Sequence, residues 1–257
     1  MPTIRFVGKI SPPPPVHLFS DVIPFSIWEM PDIGPVKITL VIKQSIVQII
    51  CELAHYEDAY LPALFKHALA FARCCVDMAS FATGLGCMLV IDGVQKPDGR
   101  VEALLFTHPY LADKCTAYRM AGTTEGDKQN FSEMINLIAR DPALFLALND
   151  LVSSLTNTDL AAINCGRVLD GLRKIVAPSL DAKNGWPVLR MIVNADEKYM
   201  QWVSDLSTNP RHGDRSWIGS AIVEAVTRTW IVFNRFLEYR KRGNQSLPLG
   251  DFPMLVG

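Results

Sequence analysis

Apolar and polar residues alternate in several short segments of the first quarter of the chain, with the period of two that is typical of half-buried strands. One segment spans residues 3–10 and stops at Ser11 and the proline run 12–15, whose prolines cannot donate hydrogen bonds within a sheet. Residues 25–29 form a second segment, and β-branched residues dominate 36–43 and 45–53. The pattern predicts strands at 3–10 and 25–29 and one or two further strands over 36–53.

The period becomes helical from residue 60 to residue 83, where apolar positions recur at spacings of three and four. Gly84 and Gly86 are suited to end this helix, because glycine readily adopts the left-handed conformation found after a last turn. Residues 87–94 and 100–107 then read as a hairpin around the turn residues 95–99. Strands, one long helix and more strands predict a sheet packed by a helix, which is an α+β unit.

The second half of the chain is helical in pattern throughout. Helices are predicted at 131–140, 143–155, 160–177, 186–206 and 214–242. Their short connections favour antiparallel neighbours and hence an up-and-down bundle. A small polar run with two glycines, Gly122 and Gly126, separates this half from the first. We therefore predict an α+β domain at 1–126, a helical bundle at 127–243 and a tail at 244–257.

Composition and charge limit the classes of partner. Of the 257 residues, 49% are hydrophobic and 20% are charged, with a mean hydropathy of +0.17, which favours a buried self-association surface and hence a homodimer. A formal net charge of −1 argues against binding nucleic acid or membrane through the overall field, so any RNA contact must be a local patch. The N-terminus lacks the pattern of a signal peptide, and charges interrupt the apolar segment 61–91. A cytoplasmic protein without a membrane partner is expected.

The cysteine and glycine patterns predict no cofactor and no metal site. The six cysteines include no C-x-x-C pair and no Cys/His cluster at zinc spacing, so they are expected to be small buried side chains in a reducing compartment. The G-x-G of Gly84 and Gly86 follows a helix and precedes a strand, the reverse of the order in a dinucleotide fingerprint.

The most polar segment between two predicted long helices, residues 204–217, is the candidate functional site. It reads S-D-L-S-T-N-P-R-H-G-D-R-S-W. We expect its residues 209–213 to precede the first turn of the last helix, where unpaired N–H groups and the helix dipole attract anions. His212 could then act as general acid or base, and Arg211 could stabilise an anionic transition state.

Three further residues are expected to contact the phosphates of RNA: Asn209, Arg215 and Arg228. The alternative is structural. In that interpretation Arg211 and His212 cap helix carbonyls or pair with Asp205 and Asp214, and they hold the two long helices in register.

The helices over 131–242, with a histidine in the polar turn before the last one, resemble the HEPN superfamily of helical bundles, which is common in bacterial defence and toxin systems. The hallmark of that family is R-x(4-6)-H, and the resemblance implies a metal-independent RNase site that usually forms across a homodimer. His212 matches the histidine of the motif. The positions five to seven residues earlier are Ser207, Leu206 and Asp205, so the motif arginine is absent and Arg211 is adjacent instead.

Two functions therefore remain open. One is an RNA-directed protein of a bacterial defence or stress system, which binds RNA with or without cleaving it as a metal-independent endoribonuclease. The other is a non-enzymatic, dimeric interaction or scaffold protein with a structural Arg-His hinge, whose N-terminal sheet binds a protein partner or a small ligand.

Overall fold

The computed structural model describes residues 1–13, 25–104, 109–117, 125–179, 181–212 and 221–257. The chain divides into two compact units, Met1–Leu105 and Phe106–Gly257. The first combines a sheet with a helix and the second is helical, so the predicted α+β class is confirmed. The boundary lies earlier than the predicted residue 126, and Leu111 and Ala117 are part of the core of the helical unit.

The first unit is built on one antiparallel sheet. Its strands are β1 (Thr3–Ser11), β2 (Phe25–Met30), β3 (Gly34–Lys43), β4 (Ile46–Glu52), β5 (Met88–Gln95) and β6 (Val101–Ala103). They lie in the order β2-β3-β4-β1-β5-β6. The segment predicted as one or two strands is therefore two, joined at Gln44, which adopts a left-handed conformation at φ 59°. β6 is shorter than predicted, and residues 105–107 lie outside the described part of the chain.

Helix α1 (Leu61–Thr83) covers one face of this sheet. Its inward positions Leu64, Ala68, Ala72 and Val76 recur every four residues and are fully or almost fully buried. Three of the five buried side chains of α1 are alanines, which let the helix approach the sheet closely. Gly84, with φ 69°, ends the helix, as expected for a glycine at this position.

The helical unit contains seven further helices among the described residues. They are α2 (Pro109–Ala112), α3 (Glu125–Ala139), α4 (Pro142–Thr156), α5 (Ala161–Val176), α6 (Ala182–Val193), α7 (Glu197–Arg211) and α8 (Ala221–Lys241). Helix α5 is central, because it packs against α4, α6, α7 and α8. The Asp141 side chain caps α4, since it accepts a hydrogen bond from the backbone N–H of Leu144 at 3.2 Å. The helix predicted from residue 160 begins one residue later, because residues 158–160 form a 3-10 turn and Leu160 precedes α5.

The single helix predicted over 186–206 is instead two helices, α6 and α7. Asn194 adopts a left-handed conformation, φ 50°, and ends α6, while the Asp196 side chain accepts a hydrogen bond from Tyr199 N at 2.7 Å and begins α7. The predicted tail also has a fixed place. The Asn194 amide donates to the carbonyls of Leu247 and Phe252 at 3.0 and 2.9 Å, so the tail is tied to the junction of the two helices.

The six cysteines are free, but only two are fully buried, Cys51 and Cys165. Cys74 is exposed and the other three are half-buried, so the expectation of uniformly buried thiols is wrong. Burial raises the pKa of the Cys165 thiol to about 11, which makes it a poor nucleophile near neutral pH. Within the described residues, no helix is long and apolar enough to cross a membrane.

Candidate functional site

The predicted hinge residues lie at the end of a helix rather than at the start of one. Asn209 and Arg211 belong to the last turn of α7, and His212 caps that turn through its backbone N–H. The carboxyl end of a helix presents unpaired carbonyls and partial negative charge, which favour cations rather than phosphate. The described part of α8 begins at Ala221, so the predicted first turn at residue 214 lies outside the described residues.

Arg211 is engaged in the contact between α5 and α7. Its Nη1 donates to Asp170 Oδ2 at 3.0 Å, and its guanidinium lies directly above Gly166 beside the buried Ser207. Because Gly166 has no side chain, the guanidinium can cross α5 and reach a carboxylate one turn further along. Asp205, one predicted partner, instead accepts a hydrogen bond from Gln201 at 2.6 Å. The structural interpretation of Arg211 thus has a geometric basis, with a different carboxylate as the partner.

Asp170 lies within ion-pair distance of two arginines. Its second oxygen lies 3.7 Å from Arg173 Nη2, while the first binds Arg211. The Arg173 side chain is only 7% exposed, and its Nε and Nη1 have no hydrogen-bond partner in the part of the chain that the structure describes. Among the described residues, one carboxylate therefore pairs with two guanidinium groups, of which only that of Arg173 is buried.

Of the residues predicted to contact phosphate, Arg228 is engaged within the helical unit. The guanidinium of Arg228 donates to Glu224 at 2.9 Å and to the Tyr199 carbonyl at 3.3 Å, and it also stacks on the ring of Trp202 at 4.6 Å. Asn209 is exposed, and Arg215 lies outside the described residues. His212 is exposed, and the structure describes no hydrogen bond or ion pair of its imidazole.

The other cations of the basic segment 211–242 are also used internally. Arg235 donates to the carbonyls of Val193 and Asn194, Arg240 to Asp141, and Lys241 to the Ala117 carbonyl, while Arg242 pairs with Glu238. Every cation that the structure describes in this segment therefore has an intramolecular partner. A stripe that tracks phosphates would need several of these groups to be free.

A second surface, which the sequence pattern did not indicate, lies on the face of the sheet opposite α1. We call it the outer sheet face. Side chains that are directly paired across antiparallel strands share a face. Half of the eight lysines and arginines of the first unit lie there, namely Arg5, Lys9, Lys37 and Lys43. The acidic residues of this face are Glu29 and Glu52, with Asp92 at a bulge in β5.

The outer sheet face also carries large exposed apolar side chains. They are Phe25, Ile27, Ile46, Met88, Val90 and Val101, which are 42–71% exposed. Ile46 lies directly opposite Lys43 of β3 and Lys9 of β1. A recess of about 200 Å³ adjoins it, lined by Val41, Lys43, Ile46 and Gln48. An apolar side chain flanked by two lysines next to a recess is a chemically distinct feature on an otherwise weakly charged unit.

A cluster of titratable groups around Lys96 connects separate segments of the first unit. The buried Lys96 ammonium donates to Glu102 at 3.0 Å and to Asp58 at 3.3 Å, and the Tyr56 hydroxyl donates to Asp58 at 2.6 Å. The Glu102 hydrogen bond is the main reason that the pKa of Lys96 is raised, and the Tyr56 hydrogen bond is the main reason that the pKa of Asp58 is lowered. The cluster ties the segment before α1 to the β5–β6 hairpin. Among the described residues, no three His, Cys, Asp or Glu side chains are placed to hold a metal ion.

Comparison with known families gives matches to both units. Residues 4–105 match the N-terminal domain of the family described as Domain of unknown function (DUF8168), and residues 131–241 match the C-terminal domain of the same family. No curated protein and no solved structure matches the chain. The chain is thus similar to this family over both of its units, and the HEPN resemblance stays a prediction.

Proposed function

We propose that this DUF8168-like chain is a non-enzymatic interaction protein that binds an acidic protein partner through its outer sheet face. The observation that carries the proposal is the row Lys43, Ile46 and Lys9, which places one exposed apolar side chain between two lysines. Neither lysine has a partner among the described residues, whereas Lys37 is paired with Glu52 at 3.0 Å. Free cations around an apolar side chain favour a partner that brings carboxylates beside an apolar residue.

The recess next to Ile46 also suits a partner that brings an apolar side chain and a carboxylate. Its volume of about 200 Å³ is well below that of typical drug-sized pockets, so it suits one inserted side chain. Val41 and Ile46 would contact an aliphatic group, and Lys43 at the rim would meet a neighbouring carboxylate. Hot spots of protein interfaces often combine an apolar pocket with a surrounding polar rim.

The helical unit fits a supporting role in this proposal. Arg211 of α7 is bound to Asp170 of α5, and Arg228 of α8 donates to the Tyr199 carbonyl of α7, so both arginines stabilise contacts between helices. The homodimer and the cytoplasmic location expected from the sequence are part of the proposal. Candidate self-association residues are the exposed Phe145 and Leu146 of α4.

The test uses the full chain and a fluorescein-labelled peptide of alternating glutamate and leucine, with binding followed by fluorescence anisotropy at low and moderate salt. The double variant Lys9→Glu and Lys43→Glu should weaken binding at least tenfold, and Ile46→Ser should weaken it several-fold. Lys114→Glu, on the exposed surface of the helical unit, is the control for a charge reversal elsewhere. Absence of peptide binding, or an equal loss in the control, would refute the proposal.

RNA cleavage at the end of α7 is the second candidate, and the exposed imidazole of His212 next to Arg211 is the observation that favours it. Arg211→Ala and His212→Ala are tested with a labelled single-stranded RNA for binding and cleavage, and in cells for toxicity. Variants that fold and dimerise normally but lose RNA binding, cleavage or toxicity would support this candidate. Variants that lose only stability would support the structural hinge.

A further inference from the structure

A groove of about 170 Å³ lies between α6 and α7 in the helical unit. It is lined by Lys183, Trp186 and Arg190 of α6 and by Glu197, Met200, Gln201 and Ser204 of α7. The spacings of three and four place each set along one face of its helix. The junction of the two helices is fixed by the Asn194 amide, which binds two carbonyls of the tail, so the groove is part of a defined structure.

The floor of the groove is apolar and aromatic. Met200 is buried, and Trp186 is half-buried with part of its surface in the groove. A flat ring could contact both side chains, because an indole offers a stacking surface and a thioether adapts to the shape of its neighbours. The volume is below the range of drug-sized pockets and suits a ligand with a single ring.

The charges around the groove favour an anion. Lys183 has no partner among the described residues, while Arg190 pairs with Glu197 at 3.6 Å. The buried guanidinium of Arg173 lies 5.5 Å from the centroid of the Trp186 ring, and two of its nitrogens lack hydrogen-bond partners among the described residues. An incompletely compensated buried charge raises the potential nearby, and an anion in the groove would offset it.

We infer that the α6–α7 groove binds an aromatic carboxylate, with its ring on Trp186 and Met200 and its carboxylate at Lys183. The ligand is either a free small molecule or the C-terminal aromatic residue of another polypeptide, since both present the same ring and carboxylate. This site is independent of the outer sheet face, which belongs to the other unit.

The test follows the indole N–H resonance of Trp186 in the full-length protein by NMR, assigned with Trp186→Phe. Benzoate stands for a free ligand and N-acetylphenylalanine for a chain terminus; benzamide, acetate and uridine monophosphate are the comparison compounds. Saturable shifts are expected with at least one of the two aromatic carboxylates, and the tighter of the two identifies the source. Lys183→Met should weaken binding at least fivefold, whereas Lys198→Met, an exposed lysine of α7 outside the groove lining, should leave it unchanged.

Three results would overturn the inference. Equal binding of benzamide and benzoate would show that the carboxylate is not recognised. Equal binding of acetate would show a general anion effect without a role for the ring. Tighter binding of uridine monophosphate would assign the groove to a nucleotide. Arg173→Met adds a second check, because removal of the buried charge should weaken carboxylate binding and leave benzamide unaffected.

Discussion

A methyl group added at Gly166 probes the contact between α5 and α7 on which the structural role of Arg211 depends. In Gly166→Ala, the new Cβ would overlap Arg211 Nη2 and Ser207 Oγ, and it would lie 2.7 Å from Ser207 Cβ. The arginine is the flexible end of a long side chain and can move aside. Ser207 is fully buried and its Cβ is fixed to the backbone of α7, so relief of this contact requires the two helices to separate.

Two opposing contributions determine how much Gly166→Ala changes the free energy of unfolding. Overpacking of a close-packed contact costs typically about 1–3 kcal/mol. Replacement of glycine by alanine within a helix returns up to about 1 kcal/mol through helix propensity. The overlap involves backbone-linked atoms, so the first term is expected in the upper part of its range. Gly166→Ala should therefore lower the free energy of unfolding by about 1–2 kcal/mol.

Urea denaturation followed by tryptophan fluorescence measures this change, since four of the five tryptophans lie in the second half of the chain. Gly171→Ala is the matched control on the same helix, because its Cβ would meet Ala147 Cβ at an ordinary 3.6 Å. The control should be neutral or stabilising by up to about 1 kcal/mol. Equal behaviour of the two variants would refute the close contact of α5 and α7 at Gly166, and with it the placement of Arg211.

Three other predictions concern single side chains. Asp170→Asn should lower the urea midpoint by the equivalent of about 1 kcal/mol or more, since the partly exposed pair with Arg211 is lost and the buried Arg173 also loses its carboxylate; an unchanged midpoint would mean that neither pair contributes. Burial, with a contribution from Lys66, lowers the pKa of His67, so the unfolded chain binds this proton more tightly and stability should fall as pH drops below about 6.5. His67→Phe should remove that part of the decline in urea midpoint between pH 7.5 and 5.5, and an identical decline in the variant would contradict the assignment. Leu146→Glu on α4 should convert the expected homodimer to a monomer in light scattering, while Phe81→Glu on α1 should not; a monomeric unmodified chain would contradict the dimer itself.

Periodicity identified the elements of this fold well where each element has one buried face. In β1, the alternation of Ile4, Phe6 and Ile10 with polar residues matches the observed burial. The break between α6 and α7 was missed because the apolar period continues across it. Val193 and Met200 belong to the same core, so both helices turn apolar faces inward. The break is indicated only by Asn194, which ends α6, and by Asp196, which caps the start of α7.

The partners of the hinge could not be derived from local spacing. Asp170 and Arg211 are 41 residues apart, and their contact depends on how α5 crosses α7 at Gly166. The sequence does contain a weak indication of the outer sheet face. Arg5 and Lys9 occupy outward positions of β1, as Lys37 and Lys43 do in β3. Strand register, which pairs Lys9 with Ile46, was needed to show that these charges surround an apolar side chain.

Whether a cation is already paired decides how favourably its surface binds an anion. At Arg211, an incoming phosphate or carboxylate competes with Asp170, which is already bound to the guanidinium at 3.0 Å. At Lys9 and Lys43, an incoming carboxylate displaces only water. Binding of a carboxylate is therefore more favourable at Lys9 and Lys43 than at Arg211. The difference is the free energy of the Arg211–Asp170 pair, which is on the order of 1 kcal/mol at a partly exposed site. If Arg211→Ala weakened binding of the acidic peptide more than Lys43→Glu did, this ranking would be wrong, and the end of α7 would be the surface to pursue.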